Sequence, residues 1–156
     1  LNQDVIYVGG GNTKSLLAIW RDWGVAEILH EAWQSGIVLT GVSAGAICWF
    51  EQGLTDSFSD GLRPLACLGF LPGSCCPHYD SEVERRPTLH RLLLAEQISP
   101  GIALEDWTGV HFREKEIYKA ITSKRGARAY TIRAVYGSVQ EVPMPTEYLK
   151  SAESRS

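Results

Sequence analysis

No run in this sequence approaches the ~20 apolar residues that a membrane-spanning helix needs, and its first residues lack the basic-then-apolar pattern of a secretory signal. Lysine and arginine total 15 against 18 acidic residues, for a net charge of −3, and no basic cluster dominates any stretch. Without an electropositive footprint the chain offers little to a nucleic-acid backbone or an anionic bilayer. Cysteine is scarce: Cys48, Cys67, Cys75 and Cys76 show no C-x-x-C spacing and are too few for a disulfide framework in 156 residues. A reduced, cytoplasmic protein is expected, with neither nucleic acid nor membrane among its partners.

Zinc is weighed and set aside. Cys75, Cys76, His78 and His90 are zinc-ligand types, but adjacent cysteines rarely both reach one tetrahedral ion. Buried structural thiols are the better reading.

What is present is enough apolar material for one core, with 44% hydrophobic and 21% charged residues. One α/β domain is expected over 1–150, with a disordered tail at 151–156. The apolar run Val5–Val8 ends in Gly9-Gly10-Gly11, after which Leu16, Leu17, Ile19 and Trp20 recur at helical spacing. A second helix, about 25–34, leads to the short strand Ile37-Val38-Leu39, and a further helix opens at Ala44 and runs through about Gln52. The glycines and prolines of 53–77 predict mostly loop, with one short strand near 66–70. A helix around Leu89–Ala95 precedes short strands at 101–106, 109–113, 116–122 and 128–135. Alternating strands and helices imply a mostly parallel, doubly wound sheet with a more antiparallel C-terminal part.

The sharpest chemical signal is Gly41-Val42-Ser43-Ala44-Gly45, a G-x-S-x-G between a predicted strand and helix. Such a nucleophile elbow exposes the serine hydroxyl and aims helix N-terminal N–H groups at developing negative charge. A serine needs a base. His30, His90 and His111 lie inside predicted elements and read as packing or surface residues, whereas His78 ends a loop, free to be aimed into a cleft. For the orienting acid, Glu105 and Asp106 end a strand on the edge where ligand crevices form, with Asp56 and Asp80 as weaker alternatives. Gly9-Gly10-Gly11 fits neither a P-loop nor a dinucleotide fingerprint, but it can supply N–H groups to an oxyanion. Arg85 and Arg86, close after His78, are candidates to pair with a substrate carboxylate through the guanidinium fork.

Four motifs in order, Val8-Gly9-Gly10-Gly11-Asn12-Thr13, Gly41–Ala46, Pro77-His78-Tyr79-Asp80 and Gly101–Asp106, resemble the peptidase E (aspartyl dipeptidase) family, whose relatives include cyanophycinase. The resemblance implies a fold similar to class I glutamine amidotransferases, which is flavodoxin-like, with Ser43 where those enzymes carry cysteine. It also implies Ser43 as nucleophile, His78 as base, the N–H groups of Gly11 and Ala44 as oxyanion hole, and Asn12 with Arg85 or Arg86 facing the substrate. That substrate would be a small peptide with N-terminal aspartate, cleaved without metal or cofactor. Asp106 is taken as the acid that orients His78: it stands where relatives commonly have glutamate, with Glu105 one residue earlier and Asp56 near another proposed acid. Rival readings are cyanophycin-type cleavage, an esterase, or a binding module that retains the fold without catalysis. Family members carry βα units ahead of the glycine turn that this chain lacks, so either it is part of a longer protein or a partner chain, as in a homodimer, covers the bare edge.

Overall fold

A computed structural model describes residues 2–149; the tail expected at 151–156 lies outside them. Strand β1 (Val5–Val8) leads through the glycine turn into α1 (Thr13–Asp22). The Asn12 side chain caps α1 by accepting the Ser15 N–H at 2.9 Å, satisfying one of the donors a helix start leaves unpaired. Gly24, with φ 68°, turns the chain into α2 (Val25–Gln34), and β2 (Val38–Gly41) returns parallel to β1 with Val8 opposite Gly41. The short α3 (Ala44–Ile47) follows at once.

The remaining elements are β3 (Phe50–Phe58), β4 (Gly61–Ala66), β5 (Leu71–Cys76), α4 (Arg85–Leu94), β6 (Gly101–Leu104), β7 (Thr108–Arg113), β8 (Glu116–Thr122), β9 (Ala129–Val135), β10 (Ser138–Pro143) and β11 (Thr146–Tyr148). A six-stranded sheet runs β10-β9-β6-β5-β3-β4, and a three-stranded one runs β11-β8-β7. The result is a mixed α/β arrangement. β3, β5 and β6 are mutually parallel at the centre of the large sheet, while β4, β9 and β10 pair antiparallel outside them. The expected parallel character therefore holds only for this centre, for β1 with β2 and for β11 with β8.

The stretch 53–77 is mostly strand rather than loop, and the glycines and prolines that suggested otherwise have packing reasons. A Cβ on Gly53 would sit 1.9 Å from the Ile47 side chain, so glycine lets α3 press onto β3. Pro64 lies on β4, the edge of the sheet, where a missing N–H is tolerated. The helix expected to run through Gln52 stops at Ile47 because β3 starts at Phe50.

Successive residues of the central strands feed two cores, as strand alternation requires. Cys75 and Ile102 join a cluster with Leu17, Leu29, Trp49 and Phe50, whereas Cys76 and Ala103 join one with Leu89, Leu92 and Ile132 under α4. The adjacent cysteines thus project from opposite faces, which separates them as metal ligands. Among the described residues no helix is long and apolar enough to cross a membrane.

Candidate active site

The elbow is built by backbone crowding. A Cβ on Gly41 would stand 2.4 Å from the Gly45 carbonyl oxygen, and one on Gly45 would stand 2.1 Å from that of Val8. Only glycine at both positions lets the β2–α3 turn seat on β1, where Val42 N–H donates to the Val8 carbonyl at 3.1 Å. Ser43 is pushed to φ 56°, ψ −113°, an uncommon conformation for a residue with a side chain.

β5 delivers the histidine and β6 the acid. His78 has φ 57°, and its Nε2 lies 3.0 Å from Ser43 Oγ. Its Nδ1 lies 2.8 Å from Asp106 Oδ1. Burial alone would raise the Asp106 pKa, but hydrogen bonds from His78 and Ser81 and the charge of Lys124 outweigh it and hold the carboxyl below its usual value. The geometry therefore joins Ser43, His78 and Asp106 in one chain of hydrogen bonds, in the order that lets imidazole take the serine proton while a carboxylate fixes its tautomer. Neither Gly11, at φ 146°, nor Ala44 finds a backbone acceptor for its N–H among the described residues.

The other acids are engaged elsewhere. Glu105 accepts the Arg128 N–H and the Tyr130 hydroxyl, each at 2.8 Å, which occupies both its oxygens. Asp80 accepts the Asp106 N–H at 2.7 Å, shaping the turn. Asp56 is exposed, and its carboxylate is 3.9 Å from Arg85 Nη2. Of the remaining histidines, His30 packs edge-on against Trp33 and Phe70, His111 against Tyr118, and His90 bonds Tyr79 and Glu141.

The two arginines expected at the substrate part company. Arg85 is buried, with Nε on Glu82 at 2.7 Å and Nη1 on the Leu54 carbonyl at 2.7 Å. Arg86 lies over the rings of Tyr79 and Tyr130 and pairs with Glu141 at 3.3 Å. Neither lines the large cleft that opens beside the triad, and Asn12 is occupied as a helix cap with its amide on the Ser57 carbonyl. Sequence reasoning did not single out Trp107, Glu141 or that cleft, which encloses about 1160 Å³ and brings Ser43, His78 and Asp106 together with Trp33, Trp49 and Phe70.

Three comparisons with known proteins bear on this geometry. The model of peptidase family S51 matches residues 1–120. The chain is 47% identical over 149 residues to the uncharacterized peptidase YgaJ of Bacillus subtilis (strain 168), an alignment covering 96% of this chain and 64% of that protein. It is 27% identical over 150 residues to peptidase E of Shewanella denitrificans (strain OS217), covering 90% of this chain and 61% of that one. The chain thus spans less than two-thirds of the length of these relatives.

Proposed function

The chain belongs to peptidase family S51, and on that premise we propose that it is a serine peptidase hydrolysing small peptides with an N-terminal aspartate through an acyl-enzyme on Ser43. The observation that carries this reading is the Ser43–His78–Asp106 chain at 3.0 and 2.8 Å. His78 takes the Ser43 proton as the hydroxyl attacks the scissile carbonyl, and returns it to the leaving amine. Asp106 holds the imidazole and its positive charge. The N–H groups of Gly11 and Ala44 receive the oxyanion, Ala44 with the added field of the α3 start. Water then clears the acyl-enzyme by the same route.

An N-terminal aspartate presents an ammonium and a carboxylate close together. Exposed Asp56 offers a partner for the ammonium, whereas Arg85, 3.9 Å from it, is buried with Nε and Nη1 held by Glu82 and the Leu54 carbonyl. Asn12 and Ser57 border that side of the turn. The wider fold, in this reading, is the flavodoxin-like one of class I glutamine amidotransferases, and the protein acts in the cytoplasm.

The test is a matched series of Asp-X and Asn-X dipeptides on the intact protein, its Ser43→Ala variant and its Asp56→Asn variant. Ser43→Ala is expected to lower kcat by roughly 10⁶-fold without unfolding the protein. Asp56→Asn is expected to raise KM for Asp-X. Activity of Ser43→Ala within tenfold of the parent removes the serine mechanism, and equal turnover of Asp-X and Asn-X removes the specificity.

A further inference from the structure

Six non-glycine residues among those described have positive φ. Three follow from chain geometry alone. Glu96 lies just past α4, where the N–H groups of Glu96 and Gln97 turn back onto the Leu93 and Leu92 carbonyls. Glu114 sits in the β7–β8 hairpin, and Tyr136, beside Gly137, in the β9–β10 hairpin. Of the other three, Ser43 and His78 belong to the triad and Trp107 directly follows its acid, Asp106.

For Ser43 and His78 the unusual backbone aims a reacting side chain. Trp107 is neither nucleophile nor base. It occupies the third position of the turn Glu105–Thr108, closed by Thr108 N–H on the Glu105 carbonyl at 3.2 Å, and its φ of 69° is one that position normally reserves for glycine. The residue is 69% exposed. The hydrogen bonds that Trp107 receives, from Ser123 N–H and the Thr122 hydroxyl, end on its carbonyl, which glycine would offer equally. Backbone strain and exposed apolar surface both weigh against folding, and no contact of the turn requires an indole. The side chain does line the cleft, next to Asp106 and in company with Trp33, Trp49, Phe70 and Val110.

We propose that Trp107 is a specificity-determining residue, which closes an apolar subsite over the side chain of the residue that follows the substrate's N-terminal aspartate. The proposal rests on the Asp-X reading above. His78 must reach the leaving amine to protonate it, so the leaving residue lies on the His78–Asp106 side of Ser43, and Trp107 directly follows Asp106 on the rim of the same cleft. The side chain of the leaving residue therefore falls in the cleft beside Trp107. An indole binds such a side chain with large, rigid area and little loss of conformational freedom.

The experiment measures kcat/KM for Asp-Phe and Asp-Ala on the intact protein and on Trp107→Gly and Trp107→Phe, alongside melting temperature and covalent labelling of Ser43 by a fluorophosphonate. Asp-Phe is expected to be preferred by about tenfold or more. Trp107→Gly should bring that ratio towards one with no fall in melting temperature, and Trp107→Phe should keep most of it. An unchanged ratio in Trp107→Gly overturns the inference, as does a lowered ratio that comes with a matching loss of folding. Ser43 labelled but no Asp-X turned over overturns the substrate class and leaves the nucleophile standing. Folded protein in which Ser43 is not labelled removes the nucleophile itself.

Discussion

His78 and Tyr79 are neighbours in sequence, as are Asp106 and Glu105, yet each pair is divided between two networks. On one side, His78 and Asp106 meet Ser43 at the edge of an open cleft, with side chains 26% and 34% exposed. On the other, the Tyr79 hydroxyl is held by His90 and Glu141, Arg86 covers the Tyr79 and Tyr130 rings, and Tyr130 donates to Glu105. The first network is strained and partly wet. The second is saturated, and burial together with a hydrogen bond to Glu141 pushes the Tyr79 phenol well above its ordinary pKa. Because strand alternation sends consecutive residues to opposite faces, one strand end supplies a reacting group and its anchor at once. A reactive edge with its own unpaired donors gains from such an anchor, which adds to the Asp80 bond that already ties the two loops together.

The comparison breaks most sharply at the acid. Asp106→Asn leaves the geometry intact but loses imidazolium stabilisation and the correct tautomer, so kcat should fall by about 10⁴-fold. Glu105→Gln, one residue away, should change kcat by less than about tenfold, because its partners are Arg128 and Tyr130. Steady-state kinetics on the two variants reads the difference, and the reverse ranking would exchange their roles.

A smaller effect is expected from the buried cation. Arg85→Met leaves the Leu54 carbonyl without its donor, at an expected loss of about 1–3 kcal/mol in unfolding free energy by urea titration. A neutral result would mean that water replaces the guanidinium.

The smallest effect concerns acid. Glu141 is raised by burial, but hydrogen bonds from Tyr79 and His90 and the charge of Arg86 outweigh this and set its pKa below the ordinary value. A carboxyl lowered on folding adds stability that is complete above its unfolded pKa, about 4.3, and is lost as pH falls through the folded value. Asp106 acts in the same sense. The melting temperature of the parent should therefore drop below about pH 4, and Glu141→Gln should show a shallower drop over that window. Parallel curves would remove Glu141 from the anchor.

Much of the front network was legible in the sequence, and little of the back. Gly41, Ser43 and Gly45 announce an elbow because crowding against Val8 allows nothing larger, and His78 stands out by ending a loop. The choice of Asp106 over Glu105 rested on the resemblance alone, since the two are chemically alike and only their order past the end of β6 separates them. Glu141 carries no local signal: it belongs to the site through β10 pairing with β9, and β9 with β6. The strands of 50–76 were hidden for a different reason. Gly53 and Gly73 are there for close approach, with a Cβ on Gly73 falling 2.4 Å from the Pro100 carbonyl, and composition alone cannot tell that from a loop. Arg85 was read as a substrate-facing cation because nothing local announces its burial, which depends on Leu54 and Glu82 closing around it.

The most direct measurement is mass-mapped labelling of the intact, folded protein with a fluorophosphonate, which attacks only an activated serine. One adduct on Ser43 is expected, absent in Ser43→Ala, strongly slowed in Asp106→Asn and close to the parent rate in Glu105→Gln. Folded protein that takes no label, or an adduct on another residue, would contradict the account.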